Sequence, residues 1–293
     1  MELRQLRAFA AVVRHRTVTE AAAALDLAPS SLSQRIRTLE DTLGVALFVR
    51  GPKGMELTPA GERLRGWAHT LLDQADQAVR DVRGHRRRLR LGALETLAGH
   101  YVPRVLARFA ERRPDIEVAV HADRARDGLL ADVAEGRLEA ALLLDSGTGI
   151  GGLGFPAPAR PLDFLDLDAV PLSLVCAPGH PLAGRTALTP DDLRSERLLV
   201  NVPACSFWMA GNQILGPGPQ RIKAGGVPVM RAWAEHGLGI TLLPRFAVAD
   251  GLRAGSLVEL DLPLPDLSLR LVWRADRESQ PGMREILYAA ARP

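Results

Sequence analysis

The sequence predicts an α+β chain of several domains: a small N-terminal winged helix-turn-helix, a long linker helix, and a C-terminal two-lobed α/β domain. Three observations carry that reading. Helical spacing of apolar residues gives way near residue 89 to alternating strand-like and helix-like segments, a heptad pattern without breaks joins the two regions, and the basic excess is confined to the first part. Of 293 residues, 47% are hydrophobic and 24% charged, so the chain is too apolar for disorder and long enough for two or three cores. Through Arg90 there are 16 Lys or Arg against 10 Asp or Glu; the rest carries 21 against 24. A locally basic N-terminal part suits a polyanion, although surplus arginine on a solvated helix face gives the same count. No apolar run reaches the ~18 residues that span a bilayer, and charges flank a short apolar stretch in the opening "MELRQLRAFAAVVRHR". No membrane partner and a cytoplasmic location are expected. Cys176 and Cys205 make neither a disulfide framework nor a metal motif, so no metal or cofactor is expected.

The first helix is expected over Leu3 to Val13, where Leu3, Leu6, Phe9, Ala10 and Val13 form one stripe. Thr17 with Glu20 makes a capping box for a second helix whose Ala21 to Ala24 let a neighbour approach closely. After a break at Asp26 to Ala28, Pro29 suits the first turn of a third helix, with Leu32, Ile36, Leu39 and Leu43 on its buried stripe. Ser30, Ser31, Ser33, Gln34, Arg35, Arg37 and Thr38 occupy its other faces. Two short helices at a tight turn, the second polar near its N-terminus, describe a helix-turn-helix whose second helix fits the major groove of double-stranded DNA. The same polar face could simply meet water.

Val45 to Arg50 and Met55 to Leu57 read as strands around a Gly-Pro-Lys-Gly turn, a wing with Arg50 and Lys53 at its tip facing phosphate or the minor groove. Together, Ala22, Ala23, Leu25, Ser33, Ile36, Leu39, Glu40, Leu43, Gly44, Leu47, Phe48, Arg50, Leu57, Thr58 and Gly61 form a fixed-spacing pattern. In it the chain resembles the winged helix-turn-helix of LysR-type transcriptional regulators. That resemblance implies that Pro29, Ser30, Ser33 and Gln34 on the helix, and Lys53 on the wing, lie nearest DNA; Arg35 and Arg37 are added as phosphate candidates. Ala28-Pro29-Ser30 departs from the family's frequent Ser-Gln-Pro start, so the usual capping hydroxyl and glutamine are missing.

A linker helix is expected from Thr58 to about His85, with Leu64, Ala68, Leu71, Ala75, Ala78 and Val82 stepping by 4, 3, 4, 3 and 4. The seam could pack on its own domain; the resemblance implies instead a homo-oligomer, dimer or tetramer, assembled through this helix. The expected domains are 1–58, 59–88 and 89–293.

Beyond the basic run that closes the linker, strands are expected at Leu89 to Ala93, Ile116 to His121 and Ala140 to Leu144, with helices at about His100 to Arg112 and Gly128 to Glu135. After a Gly- and Pro-rich loop, Ser146 to Pro161, a second set follows. Its strands are Leu172 to Ala177, Leu198 to Val202, Arg221 to Ala224 and Leu257 to Leu260, and its helices lie near Pro190 to Leu193, Phe207 to Leu215 and Val227 to His236. A strand at Ser268 to Trp273 and a helix at Pro281 to Ala291 finish the chain. Two such lobes, about 89–160 with 268–293 and about 161–267, would enclose a cleft like that of periplasmic solute-binding proteins. "LSLVCAPGHPLA" and "GLGITLLP" look like LysR-type effector-domain signatures, extending the resemblance over nearly the whole chain.

Such clefts lie at strand C-termini, where helix N-termini favour anions, so a small-molecule effector, anions included, is the expected partner. The predicted contacts are Thr96, Leu97, Arg124, Pro203, Cys205, Ser206, Phe207, Gly226 and Val227. Thr96 and Ser206 match positions the family uses for its effector, yet either could be a plain helix cap. Arg124 could pair with a carboxylate, and Phe207 could shape the pocket or fill the core. The family's peroxide-sensing branch carries a reactive thiol where Cys205 stands, but the second cysteine expected shortly downstream is absent. No nucleophile, base and acid set or phosphate-cradling loop is legible, so no enzyme is expected. Two alternatives to a ligand-responsive regulator stay open: a thiol-based redox sensor, and a DNA-binding assembly protein without ligand.

Overall fold

A computed structural model describes residues 1–51, 54–83, 87–123, 125–158, 160–279 and 282–291. The chain forms two compact units, Met1–Arg88 with Glu135–Arg137, and Leu89–Ala134 with Leu138–Pro293. Among the described residues no helix is long and apolar enough to cross a membrane.

In the first unit α1 (Leu3–His15), α2 (Val18–Ala23) and α3 (Pro29–Leu43) surround one core. Leu6, Phe9 and Val12 point inward from α1, while Leu3 is exposed and Val13 half-buried, so the stripe runs one position earlier than expected at its end. Thr17 caps α2 by accepting the Glu20 amide at 3.3 Å. Ala21 and Ala22 are fully buried between neighbouring helices, which their small side chains permit. Leu32, Ile36 and Leu39 bury the stripe of α3; Leu43, expected to join them, is exposed in the last turn before the left-handed Gly44.

The wing is β1 (Phe48–Gly51) paired antiparallel with β2 (Gly54–Leu57). Several motif residues fasten it. Glu40 Oε1 accepts the Leu47 amide at 2.7 Å and that of Phe48 at 3.3 Å, and the Phe48 ring packs 5.2 Å from Phe9. Thr58 donates its hydroxyl to the Ala46 carbonyl at 2.8 Å and accepts the Gly61 amide at 3.0 Å, opening α4 (Pro59–Val82). Gly61 is required there, because a Cβ would stand 2.2 Å from the Leu47 carbonyl oxygen.

On α4 the heptad seam divides. Ala68 is buried and Leu64 and Leu71 pack against the first unit's core, whereas Ala78 is exposed and Val82 is 89% exposed. Trp67 and Val79 are also exposed.

The second unit holds two five-stranded mixed sheets within one continuous core. In chain order it comprises β3 (Arg87–Leu94), α5 (Glu95–His100), α6 (Val102–Arg112), β4 (Ile116–Asp123), α7 (Arg126–Glu135), β5 (Ala140–Asp145), β6 (Leu162–Val170) and β7 (Leu172–Cys176). There follow β8 (Arg197–Val200), α8 (Ser206–Leu215), β9 (Gln220–Lys223), α9 (Val227–Glu235), β10 (Ile240–Pro244), α10 (Arg245–Ala254), β11 (Val258–Glu259), β12 (Leu267–Arg274) and α11 (Met283–Ala291). The first sheet runs β4-β3-β5-β12-β6 and the second β11-β7-β10-β8-β9. β3 and β5 pair in parallel, as do β8 with β9 and with β10, while β12 runs antiparallel to β5 and β6.

Several expectations change, among them the helix α10, which was not anticipated, and the first wing strand, which begins at Phe48 rather than Val45. The helix expected from about His100 begins at Val102 as α6, and a separate short helix that was not anticipated, α5, precedes it, the two parted at Tyr101 ahead of Pro103. The segment 190–193 is a 3-10 turn. β6 was not anticipated: "LDFLDLDAV" alternates apolar and acidic residues, as befits an edge strand with one wet face. Because β6 pairs with β12, residues 162–170 lie in the first sheet, and the chain crosses to the second at Pro171 rather than near 161.

Arg270, in the middle of β12, organises the loop before β6. It is fully buried and donates to Asp145 at 3.2 Å, Asp166 at 2.6 Å and the carbonyls of Gly147 and Gly149, with its guanidinium over the Phe164 ring. Asp145 in turn accepts the amides of Ser146, Gly151 and Leu153.

Candidate functional site

In the first unit the candidate surface is the face of α3 opposite its buried stripe. Pro29, Ser30, Gln34 and Arg37 are exposed, and Ser33 and Arg35 are half-buried. Ala28 at the N-cap has no side chain to satisfy the first-turn amides, and that turn carries no acidic residue. The Gln34 amide reaches the Thr38 hydroxyl at 3.5 Å, a long bond that leaves it available, and Thr38 donates to the Gln34 carbonyl at 2.9 Å. Lys53 lies outside the described residues, as does the side chain of Arg50.

In the second unit the predicted cleft residues fall into two groups. One group surrounds the N-terminus of α8. Cys205 is its N-cap, Ser206 its first residue and Phe207 its second, with exposures of 4%, 0% and 5%; Pro203 is exposed. The Ser206 hydroxyl does not face solvent. It accepts from Nη2 of Arg126 at 2.6 Å and donates to the Leu144 carbonyl at 3.3 Å. Arg126, on the first lobe's α7, is fully buried: Nη2 also donates to Leu144 at 3.1 Å, Nη1 to the Met209 sulfur at 3.0 Å, and the guanidinium lies 4.0 Å over the Phe155 ring. Its Nε has no partner, and no described carboxylate comes within 4.0 Å. Burial pulls its pKa down, opposed by Asp145, Cys205 and Asp127.

Sequence reasoning chose Arg124, which lies outside the described residues, and missed Arg126. α7 begins at Arg126, three residues after β4 ends at Asp123, which places this arginine at the first helical position beside the N-terminus of α8.

Burial raises the pKa of Cys205, opposed by the nearby amides of Phe207 and Trp208, the Arg126 charge and Asn201. Cys176 is raised to about 11, mainly by burial.

The second group borders an open cavity of about 330 Å³ between the lobes. Glu95, Thr96 and His100 of α5 form one wall, and Val227 and Arg231 of α9 with Phe246 of α10 form the other. Gly226, the N-cap of α9, faces Glu95, whose Oε2 would stand 3.9 Å from a Cβ there. Leu97 is fully buried on the core side of α5. The His100 ring stacks on Phe246 at 4.0 Å and 8°, and Tyr101 meets both rings edge-on. Burial and then the Arg104 charge lower the His100 pKa, which keeps the ring neutral at neutral pH. His100, Arg231 and Phe246 carried no legible motif, because a stack across two lobes leaves no local spacing.

Family models match both units. The model described as LysR substrate binding domain covers residues 83–291, and that of the bacterial regulatory helix-turn-helix protein, lysR family, covers residues 3–62. A probable hydrogen peroxide-inducible genes activator of Mycobacterium avium is 31% identical, over 96% of this chain and 90% of its own. The SDS degradation transcriptional activation protein of a Pseudomonas species is 33% identical, over 96% and 92%. Among solved structures, ArgP from Mycobacterium tuberculosis superposes with a TM-score of 0.71 at 21% identity, covering 98% of this chain and 95% of that one, a likeness of fold.

Proposed function

The chain belongs to the LysR family of bacterial transcriptional regulators, and from that premise we propose how its own residues bind DNA and sense a small molecule. The observation that carries the reading is the outward face of α3, where hydroxyl, amide and guanidinium groups sit directly behind a stripe of fully buried leucines. Gln34 and Ser33 read base edges, the uncapped first turn with Ser30 holds a phosphate, and Arg35 and Arg37 hold others. Arg50 and Lys53 complete the contact from the wing.

LysR regulators act as oligomers that bind small-molecule effectors. The exposed half of the α4 seam, Ala78 and Val82 with Val79 and Trp67 nearby, supports a homo-oligomer joined through this helix, with two copies of α3 meeting two half-sites. The effector site is the cleft bordered by Thr96 and Val227, beside Gly226 at the N-cap of α9. A cytoplasmic location follows from work on chromosomal DNA.

The test is binding of the purified protein to the DNA immediately upstream of its own gene, at two salt concentrations, with scrambled DNA as competitor. Selective retention at the higher salt is expected; equal binding to scrambled DNA would remove the base-reading role given to α3.

A further inference from the structure

The loop that precedes β6 encloses another cavity, which shares no lining residue with the interlobe cleft. It measures about 270 Å³ and opens to solvent. Ile150, Pro158 and Pro161 of the loop and Leu162 and Phe164 of β6 give it an apolar surface, and among the described residues Arg160 is the one charged side chain lining it. At roughly 30 Å³ for each water-sized group, it takes a molecule of about nine non-hydrogen atoms.

The local chain presents that arginine with its donors unused. Pro161 steers its predecessor away from the helical region, and the Pro161 carbonyl is itself fixed by the Ala275 amide at 3.3 Å. Arg160 is half-buried and makes neither a hydrogen bond nor an ion pair among the described residues. The charges around it are already matched or point elsewhere. Alternation along the paired strands puts Leu162 and Phe164 on the sheet face that carries Arg270 and Arg274, and Asp163 on the opposite face. Arg270 covers one face of the Phe164 ring and is paired with Asp145 and Asp166. Arg274, opposite Leu162, pairs with Asp276 yet keeps a buried Nη1 without a hydrogen bond. The balance of unmatched charge at this face is therefore positive, which suits an anion and repels an ammonium group.

We propose that this cavity is an additional small-molecule site for an apolar monocarboxylic acid, its carboxylate on Arg160 and its body against Pro158, Pro161 and Phe164. The site is separate from the cleft read above as the effector site and does not depend on that reading. At its other end the same loop reaches the second lobe: Phe155 lies 4.0 Å under the Arg126 guanidinium, and the Gly152 carbonyl accepts from Gln213 of α8 at 2.9 Å. A ligand held against residues 157–164 braces a segment that touches both lobes.

The probes are benzoate, phenylacetate and hexanoate, each beside its uncharged amide, with benzylamine as the cation, titrated calorimetrically into the full-length protein. At least one acid should bind about tenfold more tightly than its amide, with benzylamine not binding. Arg160→Gln should weaken that acid by about tenfold, and Arg160→Lys should keep part of the affinity. Since Arg160 makes no hydrogen bond or ion pair, Arg160→Gln should melt with wild type. Hydrogen exchange locates the ligand, with added protection expected across residues 150–164, and Thr96→Val, altered only in the cleft, should bind the acid as wild type does. No binding by any acid, equal binding of its amide, or full affinity in Arg160→Gln would overturn the proposal. Protection confined to α5 and α9 and lost in Thr96→Val would overturn it as well, while supporting the cleft as the place where these acids bind.

Discussion

Arg126 Nη2 and Ser206 Oγ lie 2.6 Å apart, both side chains wholly buried, and they join the α7 end of one lobe to the α8 end of the other. With no carboxylate within 4.0 Å among the described residues, the hydrogen bonds and the Phe155 face offset only part of the cost of burying that charge. Arg126→Met, which keeps the volume and drops the charge, should therefore change stability by less than ~1 kcal/mol. Arg126→Ala should lose about 2–4 kcal/mol to the cavity it leaves. Urea unfolding of the two variants decides the matter; equal losses would mean that the charge itself holds the lobes.

Arg270 gives the opposite expectation. It has a buried partner, Asp145, and it satisfies two loop carbonyls. Removing it in Arg270→Met strands a carboxylate that is 3% exposed, at a cost of about 3–5 kcal/mol. The loop from residue 146 should also become the first site cut by a protease in native conditions, which limited proteolysis followed by mass spectrometry would reveal.

The stack of His100 on Phe246 predicts a pH dependence. Folding lowers the His100 pKa, so between its ordinary value of about 6.5 and the lower folded one the unfolded chain binds more protons, and stability falls as pH falls through that window. Asp192, held low by Thr189, and Asp276, held low by Arg274, lose their contributions only in the more acidic carboxylate range. Wild type should lose melting temperature relative to His100→Gln as pH falls below about 6.5. Parallel curves would remove His100 as the source.

Both thiols should be inert in the native protein. Cys176 and Cys205 are buried, and burial raises the pKa of each. Ellman's reagent should find almost no thiol at neutral pH and both after unfolding. Rapid native reaction at Cys205 would instead favour the redox-sensing alternative.

On DNA, Gln34→Ala should lower the preference for operator over scrambled sequence by about 1–3 kcal/mol with little change in nonspecific binding. Arg37→Ala should weaken all sequences alike and reduce the salt slope by about 1. Titrations at several salt concentrations distinguish the two, and identical profiles would dissolve the division of labour.

The N-terminal fold was legible because its constraints are local. Thr17 with Glu20, Pro29 after Ala28 and Glu40 ahead of Leu47 act within a few residues of one another. The structure also separates two roles within the family pattern, since Glu40, Thr58 and Gly61 fasten the wing while the exposed polar residues of α3 stand apart from it. The cleft was only half legible. Strand ends pointed to Thr96 and Val227, which line the cavity, but Arg126, Arg231, His100 and Phe246 make their contacts with partners 16 to 146 residues away. β6 escaped because three acidic positions, Asp163, Asp166 and Asp168, on a wet edge strand resemble a loop.

Val170 and Leu267 are direct partners in the ladder of β6 with β12, and everything between them builds the second sheet. In topological terms the second lobe is an outsized hairpin loop: the polypeptide leaves the first sheet and rejoins it at adjacent rungs. Lengthening such a loop costs closure entropy only logarithmically, so an ancestral turn could have accepted an entire folded body without dismantling its host. The arrangement is also reversible by design. Excising residues 171–266 and splicing a short turn between β6 and β12 leaves the first sheet with all five of its strands, a candidate single-lobe scaffold from which the cleft has been removed.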